Sequence, residues 1–117
     1  MPNFPIIDTH LHIWDMERLN YSAFEGHPIF GRSYHIEDFR QDCEKLEVEA
    51  MVFVECFADF TETGGQYIDE IKFVEDSAKK DPRIKGIVPM APLEWGRSVE
   101  PMLREMHTNH QTVKGIR

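Results

Sequence analysis

The sequence predicts an α/β protein with a parallel sheet. Short apolar and β-branched runs alternate with segments whose apolar residues recur at helical spacing, in the order strand, helix, strand, helix, strand, helix, strand. Such alternation is typical of parallel strands joined by right-handed crossover helices. In addition, residues 50–57 are apolar at almost every position, which indicates a strand buried on both faces between helices.

In the first half of the chain, each element has its own local signal. Residues 6–11 form an apolar run bounded by Pro5 and predict the first strand. Residues 14–34 carry mixed aromatic residues without a period and predict a long loop, which in a compact domain is usually functional or disordered. Apolar residues at helical spacing predict the first helix over 36–46, and the run at 50–57 predicts the second strand.

The second half continues the alternation. We expect a polar loop at 61–65, a helix at 68–78 and a strand at 84–90. A second loop at 91–97, a helix at 98–106 and a last strand at 112–117 follow. Ser98 is expected to cap the third helix, since serine accepts a hydrogen bond from the first turn.

Two architectures fit this order, an open doubly wound sheet and a (β/α) barrel, and periodicity does not choose between them. A complete (β/α)8 barrel needs eight strands and roughly 250 residues. The 117 residues hold four expected strands and three helices, and they stop inside a strand. We therefore expect residues 1–117 to be the N-terminal half of a single (β/α)8 TIM barrel.

Composition argues against several classes of function. The net charge is −8, with 21 acidic and 13 basic residues and no basic run, so we expect neither a nucleic-acid nor a membrane partner. Cys43 and Cys56 are too few for a disulfide scaffold and are expected to be reduced, in a cytoplasmic protein. The first residues lack the pattern of a signal peptide, and no apolar run approaches the length of a membrane span.

The stretch IIDTHLHIWD places two histidines at the end of the first strand. Alternate side chains of a strand point the same way, so His10 and His12 share a face with Asp8. Two imidazoles so placed can bind one divalent ion or aim at one substrate carbonyl, and they lie at the strand end where α/β proteins keep their sites. A chance pair is the alternative, and two imidazoles do not complete a metal site.

Four further residues are candidates for substrate binding, each with a plainer alternative. Glu55 follows an apolar strand and either orients a histidine or substrate, or lies in solvent. Arg117 at the fourth strand suits a carboxylate or a polarised carbonyl, or is simply exposed and mobile. His27 lies in the long loop and could reach substrate, and Trp14 either lines a pocket or packs the loop.

The segments IIDTHLHIWD, AMVFVECFADFTET, GIVPMAPLE and TVKGIR resemble, in order and spacing, the start of the amidohydrolase-related (amidohydrolase 2) branch of the amidohydrolase superfamily, with sugar-lactone and pyrone-dicarboxylate lactonases as the nearest likeness. The resemblance implies a (β/α)8 barrel that hydrolyses a cyclic ester of a sugar acid or dicarboxylate. It implies that His10 and His12 bind one divalent metal ion, zinc or manganese, or contact substrate in a metal-free site. It also implies that Glu55 and Arg117 end the second and fourth strands as site residues.

The family's further site residues come from later strands: histidines after the fifth and sixth, and an aspartate after the eighth that activates water. None is present in these 117 residues, so the chain by itself is expected to be an inactive fragment of the full-length enzyme. Two alternatives stay open. The parent activity could be a decarboxylase or hydratase of the same branch, or the chain could be a non-catalytic half-barrel whose exposed sheet edges make it self-associate as a homo-oligomer.

Overall fold

The structure is a computed structural model that describes residues 3–60 and 65–117. Its strands are β1 (Ile6–Leu11), β2 (Val48–Val54) and β3 (Ile84–Val88), and its α-helices are α1 (Ile36–Asp42), α2 (Gly65–Lys80) and α3 (Glu100–Asn109). Short 3-10 helices occupy Ser22–Phe24 and Leu93–Val99. The strands pair in parallel in the order β1-β2-β3, which confirms the predicted alternation and the parallel sheet.

The predicted fourth strand is wrong for the described chain. Residues 112–117 run beside β3 in the parallel direction but form a single bridge, between Ile87 and Val113. The Ile87 amide donates to the Thr112 carbonyl and the Lys114 amide donates to the Ile87 carbonyl, at 2.9 and 3.0 Å. These two bonds flank one residue only, so the segment follows the sheet without extending its ladder.

Several element boundaries also differ from the prediction. Strand β2 spans Val48–Val54 rather than 50–57, β3 ends at Val88 rather than 90, and α2 spans Gly65–Lys80 rather than 68–78. Helix α1 ends at Asp42 rather than 46, where a turn begins at Cys43. Ser98 does not cap α3, because it lies inside the 3-10 helix Leu93–Val99. This 3-10 helix bends at Gly96, where φ is +60°. Helix α3 follows it directly and has Pro101 in its first turn. Of the loop expected at 61–65, residue 65 belongs to α2 and residues 61–64 lie outside the described part.

The core lies on one face of the sheet. Strand residues Met51, Phe53 and Ile87 are fully buried and belong to one cluster with Ile71 of α2 and Met106 of α3. On the other face of β2, Val48 and Val54 are buried while Ala50 and Val52 are half-buried, so the expectation of a strand buried on both faces is met at its ends and not in its middle. The strands are therefore packed on a core with α2 and α3 on one side, while the other side is only partly covered.

The long segment between β1 and α1 is held together by aromatic rings. Trp14 and Tyr34 form an antiparallel bridge, and their rings stack with centroids 5.4 Å apart. Phe24 and Phe30 pack against the same indole at 5.3 and 6.0 Å.

In the part of the chain that the structure describes, no helix combines the length and apolar character needed to cross a membrane.

Candidate functional site at the carboxyl ends of the strands

The carboxyl ends of the three parallel strands meet at one edge of the sheet, which we call the mouth. His10 and His12 lie at the end of β1, Glu55 follows β2, and Arg117 lies beside the end of β3, where its backbone amide donates to the Pro89 carbonyl at 2.9 Å. Parallel pairing brings these residues to the same edge, as the strand order requires.

The two histidines form a close pair. Their ring centroids are 4.7 Å apart and their planes meet at 72°. The Nδ1 atom of His12 lies 2.9 Å from the backbone carbonyl of Val54 on the neighbouring strand. Since a carbonyl only accepts, Nδ1 carries the proton and donates, which leaves Nε2 of the neutral ring with its lone pair available.

The backbone around the pair is fixed as well. The Asp8 carboxylate accepts the backbone N–H of His10 at 3.0 Å, so Asp8, which the strand pattern places on the face of the histidines, holds the strand end. The His12 ring is half-buried and the His10 residue is exposed. One imidazole is thus anchored and the other is open to a ligand.

The pair has the donor chemistry of a metal site but not a complete ligand set. A histidine that ligates a metal usually donates its other ring N–H to a carbonyl or a carboxylate, as His12 does to Val54. Within residues 3–60 and 65–117, no group of three or more His, Cys, Asp or Glu side chains is arranged to hold a metal ion. The described residues therefore supply two nitrogen donors, whereas a catalytic zinc ion takes three protein ligands.

Glu55 and Arg117 are brought together as an ion pair. Glu55 is buried, with 5% of its surface exposed, and its Oε1 atom lies 3.3 Å from Nη1 of Arg117. Its Oε2 atom accepts the backbone N–H of Phe57 at 2.9 Å. Glu55 is therefore not solvated, as its plainer alternative had it. Arg117 is exposed, as its plainer alternative had it, with 46% of its side chain accessible, and it also pairs with Glu55.

Phe57 is a site residue that the sequence did not reveal. Its backbone adopts φ of +56°, the left-handed region that bulky residues rarely occupy. The guanidinium of Arg117 lies over its ring at 5.9 Å, and Phe24 of the long segment meets the ring edge-on at 6.4 Å. This strained residue joins the ion pair to the aromatic cluster of the long segment.

Glu70 of α2 is a second residue that was missed. It is 3% exposed, and its Oε2 atom accepts the backbone N–H of Cys56 at 3.2 Å. Burial, with a smaller contribution from the Glu55 charge, raises the pKa of Glu70 to about 7. The sequence held one signal of this burial, because Glu70 lies three residues after Tyr67 and therefore on the apolar face of the helix.

Cys56 lies between these carboxylates and is buried. Burial first, and then the charges of Glu70 and Glu55, raise the pKa of its thiol to about 12. The thiol therefore stays protonated at neutral pH, which does not suit a nucleophile.

Trp14 and His27 are placed within the long segment. The Trp14 indole N–H donates to the Arg32 carbonyl at 2.7 Å, and the ring is 9% exposed, so it packs the segment. The Nδ1 atom of His27 accepts the backbone N–H groups of Ile29 and Phe30 at 3.1 and 3.0 Å. Both ring systems hold the segment's own backbone, and their roles toward a substrate stay predictions.

Known proteins resemble this chain over part of their length. "Uncharacterized protein y4mH" of Sinorhizobium fredii (strain NGR234) is 30% identical over 126 residues, covering 100% of this chain and 40% of the relative. A solved structure, "Amidohydrolase 2 from Bifidobacterium longum subsp. infantis", matches with a TM-score of 0.62 and 22% identity, covering 76% of this chain and 33% of that one. No family model matches the chain.

These comparisons show the fold. The chain shares the α/β architecture of part of the amidohydrolase 2 structure, with its parallel strands and covering helices. It spans 40% of the curated relative's length and 33% of the solved chain.

Proposed function

We propose that residues 1–117 carry the N-terminal part of the active site of an amidohydrolase-type hydrolase, one that opens a lactone of a sugar acid or of a dicarboxylate. The observation that carries the proposal is the His10–His12 pair, with His12 anchored on Val54 and the Glu55–Arg117 ion pair following the next strand. The shared fold with an amidohydrolase 2 supports it, since that fold keeps its sites at the carboxyl ends of the strands.

Lactone hydrolysis needs water to attack a carbonyl carbon, the ring C–O bond to break, and a proton to reach the departing alkoxide. In this proposal the guanidinium of Arg117 orients the substrate by binding the substrate's carboxylate or carbonyl oxygen. Its guanidinium has five N–H donors and spends one nitrogen on Glu55. Glu55 is a positioning residue, because it reaches the substrate only through the guanidinium that it holds.

The histidine pair faces the reacting group. If the complete protein holds a divalent ion, zinc or manganese, His10 and His12 would supply two of its ligands, and the ion would polarise the carbonyl or acidify a water. In a metal-free site, the same rings would contact the substrate, with the Nε2 atom of His12 as the acceptor that its hydrogen bond to Val54 leaves available. The general base is expected from a part of the barrel beyond these residues.

The domain proposal follows from the same comparisons. We propose that residues 1–117 are the first part of a single (β/α)8 barrel in a cytoplasmic protein. Support comes from the parallel order of the three strands, from the bridge that residue Val113 adds beside β3, and from the greater length of the matched relatives. Reading the coding DNA past the codon for Arg117 tests the domain proposal directly.

The activity is tested with the protein expressed from its complete reading frame. A panel of sugar-acid and dicarboxylate lactones is followed by titration of the acid released. His12→Asn is the sharpest variant, because the amide can still donate to the Val54 carbonyl while the Nε2 acceptor is lost. We expect His12→Asn and His10→Ala to lower kcat/KM roughly 100-fold or more, the range of a lost acid–base or ligand group.

His107→Ala is the matched control, because this exposed histidine lies on α3, away from the sheet ends. It should leave kcat/KM unchanged. Circular dichroism and thermal unfolding confirm that each variant is folded. A folded His12→Asn protein with unchanged turnover would show that the pair is structural.

A further inference from the structure

Two buried carboxyls hold the turn that follows β2. Glu55 belongs to this turn, and its Oε2 atom accepts the backbone N–H of Phe57 at 2.9 Å. Glu70 reaches the same turn from α2, and its Oε2 atom accepts the backbone N–H of Cys56 at 3.2 Å. Since neighbouring residues lie about 3.8 Å apart along the chain, oxygen atoms of the two carboxyls lie within about 10 Å of each other.

The Glu55 carboxylate connects this turn to the ion pair at the mouth. Its backbone N–H donates to the Val88 carbonyl at the end of β3, at 2.9 Å. Its Oε1 atom lies 3.3 Å from Nη1 of Arg117. The position of the carboxylate, and with it that of the guanidinium, therefore depends on the turn that Glu70 holds from behind.

The acceptor role alone does not require an ionisable group at position 70. A glutamine would offer the same oxygen to the Cys56 amide without a carboxyl group to bury. Burial, with a smaller contribution from the Glu55 charge, raises the pKa of Glu70 to about 7. Glu70 therefore gains a negative charge behind the ion pair as pH rises through neutrality.

The groups around Glu70 come from the long segment, from the turn after β2 and from the segment beside β3. Burial first, and then the Glu70 charge, raises the pKa of Tyr21 above its usual range. Burial, and then the charges of the two carboxyls, raise the pKa of the Cys56 thiol, which the Arg117 charge lowers. Tyr21 and Cys56 therefore stay protonated near neutral pH, while Glu70 changes its charge beside the pair of Glu55 and Arg117.

We propose that Glu70 is a positioning residue of the site, which fixes the turn that presents Glu55 to Arg117 and sets, by its charge, the affinity of that guanidinium for a carboxylate. The proposal rests on the proposed function, because it concerns the guanidinium that orients the substrate there. When Glu70 holds its proton, a carboxylate on Arg117 meets one neighbouring negative charge. When Glu70 is ionised, a second negative charge repels the carboxylate, so its binding weakens as pH rises.

The test is equilibrium binding of unreactive carboxylates to the complete protein, measured by isothermal titration calorimetry between about pH 6 and 8.5. Gluconate and tartrate are the probes, because both stay ionised over this range, and sorbitol is the uncharged counterpart of gluconate. At the acidic end, Glu70→Gln should bind both carboxylates as the parent protein does. At the alkaline end it should bind them roughly three-fold or more tightly than the parent, as for one charge removed at about 10 Å. Protonation of His10 and His12 affects both proteins alike and cancels in this comparison.

Proton uptake gives a second reading that a merely structural role would not change. Because coupling is reciprocal, a carboxylate that binds less well to the ionised form must raise the pKa of Glu70 when it binds. Calorimetry near pH 7 in HEPES and in Tris, which differ in their heats of ionisation, measures the protons taken up. The parent should take up roughly 0.3 proton more per bound gluconate than Glu70→Gln does, for a three-fold coupling.

Glu70→Leu separates the hydrogen bond from the charge, because it removes both. Near pH 6 it should bind gluconate roughly five-fold less tightly than the parent, as for one lost hydrogen bond, and Glu70→Gln should restore the affinity. Both variants lack the carboxyl, so either one that folds gives the answer on pH. Asp69→Asn is the matched control, because it removes an exposed carboxylate of the same helix and should change neither the affinity nor the proton uptake.

Three results would each overturn the proposal. They are the same pH dependence of carboxylate binding in the parent and in a folded Glu70 variant, no binding of either carboxylate near pH 6, and sorbitol binding as tightly as gluconate.

The two proposals fail separately in this design. If carboxylate binding loses its pH dependence in Glu70→Gln but no lactone is opened, the role of Glu70 stands and the hydrolase proposal fails. If lactones are opened in a His12-dependent way but Glu70→Gln and its parent respond alike to pH, the hydrolase proposal stands and the role of Glu70 is wrong.

Discussion

The buried carboxyl of Glu70 makes the stability of this protein depend on pH. Burial raises the pKa of Glu70 from an ordinary 4.5 to about 7. Below pH 4.5 the folded and unfolded states both hold the proton. Between pH 4.5 and 7 the unfolded chain ionises first, so the free energy of unfolding falls as pH rises. Above pH 7 the loss levels off at about 3 kcal/mol, since each pKa unit is worth roughly 1.4 kcal/mol.

Glu70→Gln removes this dependence while keeping an oxygen for the Cys56 backbone N–H. The new amide N–H2 costs about 1–3 kcal/mol at every pH if it finds no partner, so the informative quantity is the change with pH. Relative to the parent protein, the variant's free energy of unfolding should rise by about 3 kcal/mol between pH 4.5 and 8.5.

Urea unfolding at a series of pH values measures this difference. Glu49→Gln is the control, because Glu49 is exposed on β2 and its loss should give no comparable rise. The reasoning is refuted if the difference between the Glu70→Gln protein and its parent stays flat from pH 4.5 to 8.5. A flat difference would mean that the carboxyl ionises as readily in the folded chain as in the unfolded one.

Two further predictions concern stability. Asp81 is 4% exposed and binds the Arg83 guanidinium through both oxygens, at 2.9 and 2.7 Å, which lowers the pKa of its carboxyl. Asp81→Asn should lower the free energy of unfolding by about 2 kcal/mol, measured with urea at pH 7. The difference between the variant and its parent should shrink as pH falls below the ordinary aspartate range. Asp76→Asn, which changes a surface carboxylate, is the control and should lower the free energy of unfolding by under about 1 kcal/mol. Phe53→Ala should cost about 3 to 5 kcal/mol, whereas Phe4→Ala should cost under about 0.5 kcal/mol; equal costs would contradict the assigned core.

The elements and the sheet could be predicted because their signals are local. The apolar run of β2 and the helical spacing that continues through α2 identify each element within a few residues of chain. The position of His10 and His12 at a strand end follows from the same run, since alternate residues share a face. Parallel pairing then places that strand end beside its neighbours without further information.

The partners across the mouth could not be predicted, because each depends on residues far apart in the chain. The acceptor for His12 is a backbone carbonyl 42 residues away, and any residue type at Val54 would offer one. The positive φ of Phe57 has no glycine or asparagine to signal it. The fourth strand was overpredicted because Val113 has the residue type of a strand, whereas the segment around it forms a single bridge to β3.

The features that cost stability lie at the mouth, whereas the core lies on the helix-covered face. A buried carboxylate at Glu55, a raised pKa at Glu70 and a left-handed backbone at Phe57 each disfavour the folded state. Two of these features, the buried carboxylate and the left-handed backbone, are directly linked. Glu55 accepts the backbone N–H of the strained Phe57 and also pairs with the Arg117 guanidinium. A fold that only had to be stable would gain by removing them. Their concentration around the residues that follow β2 is what a binding site that holds its groups in position requires, because such positioning is maintained at the expense of stability.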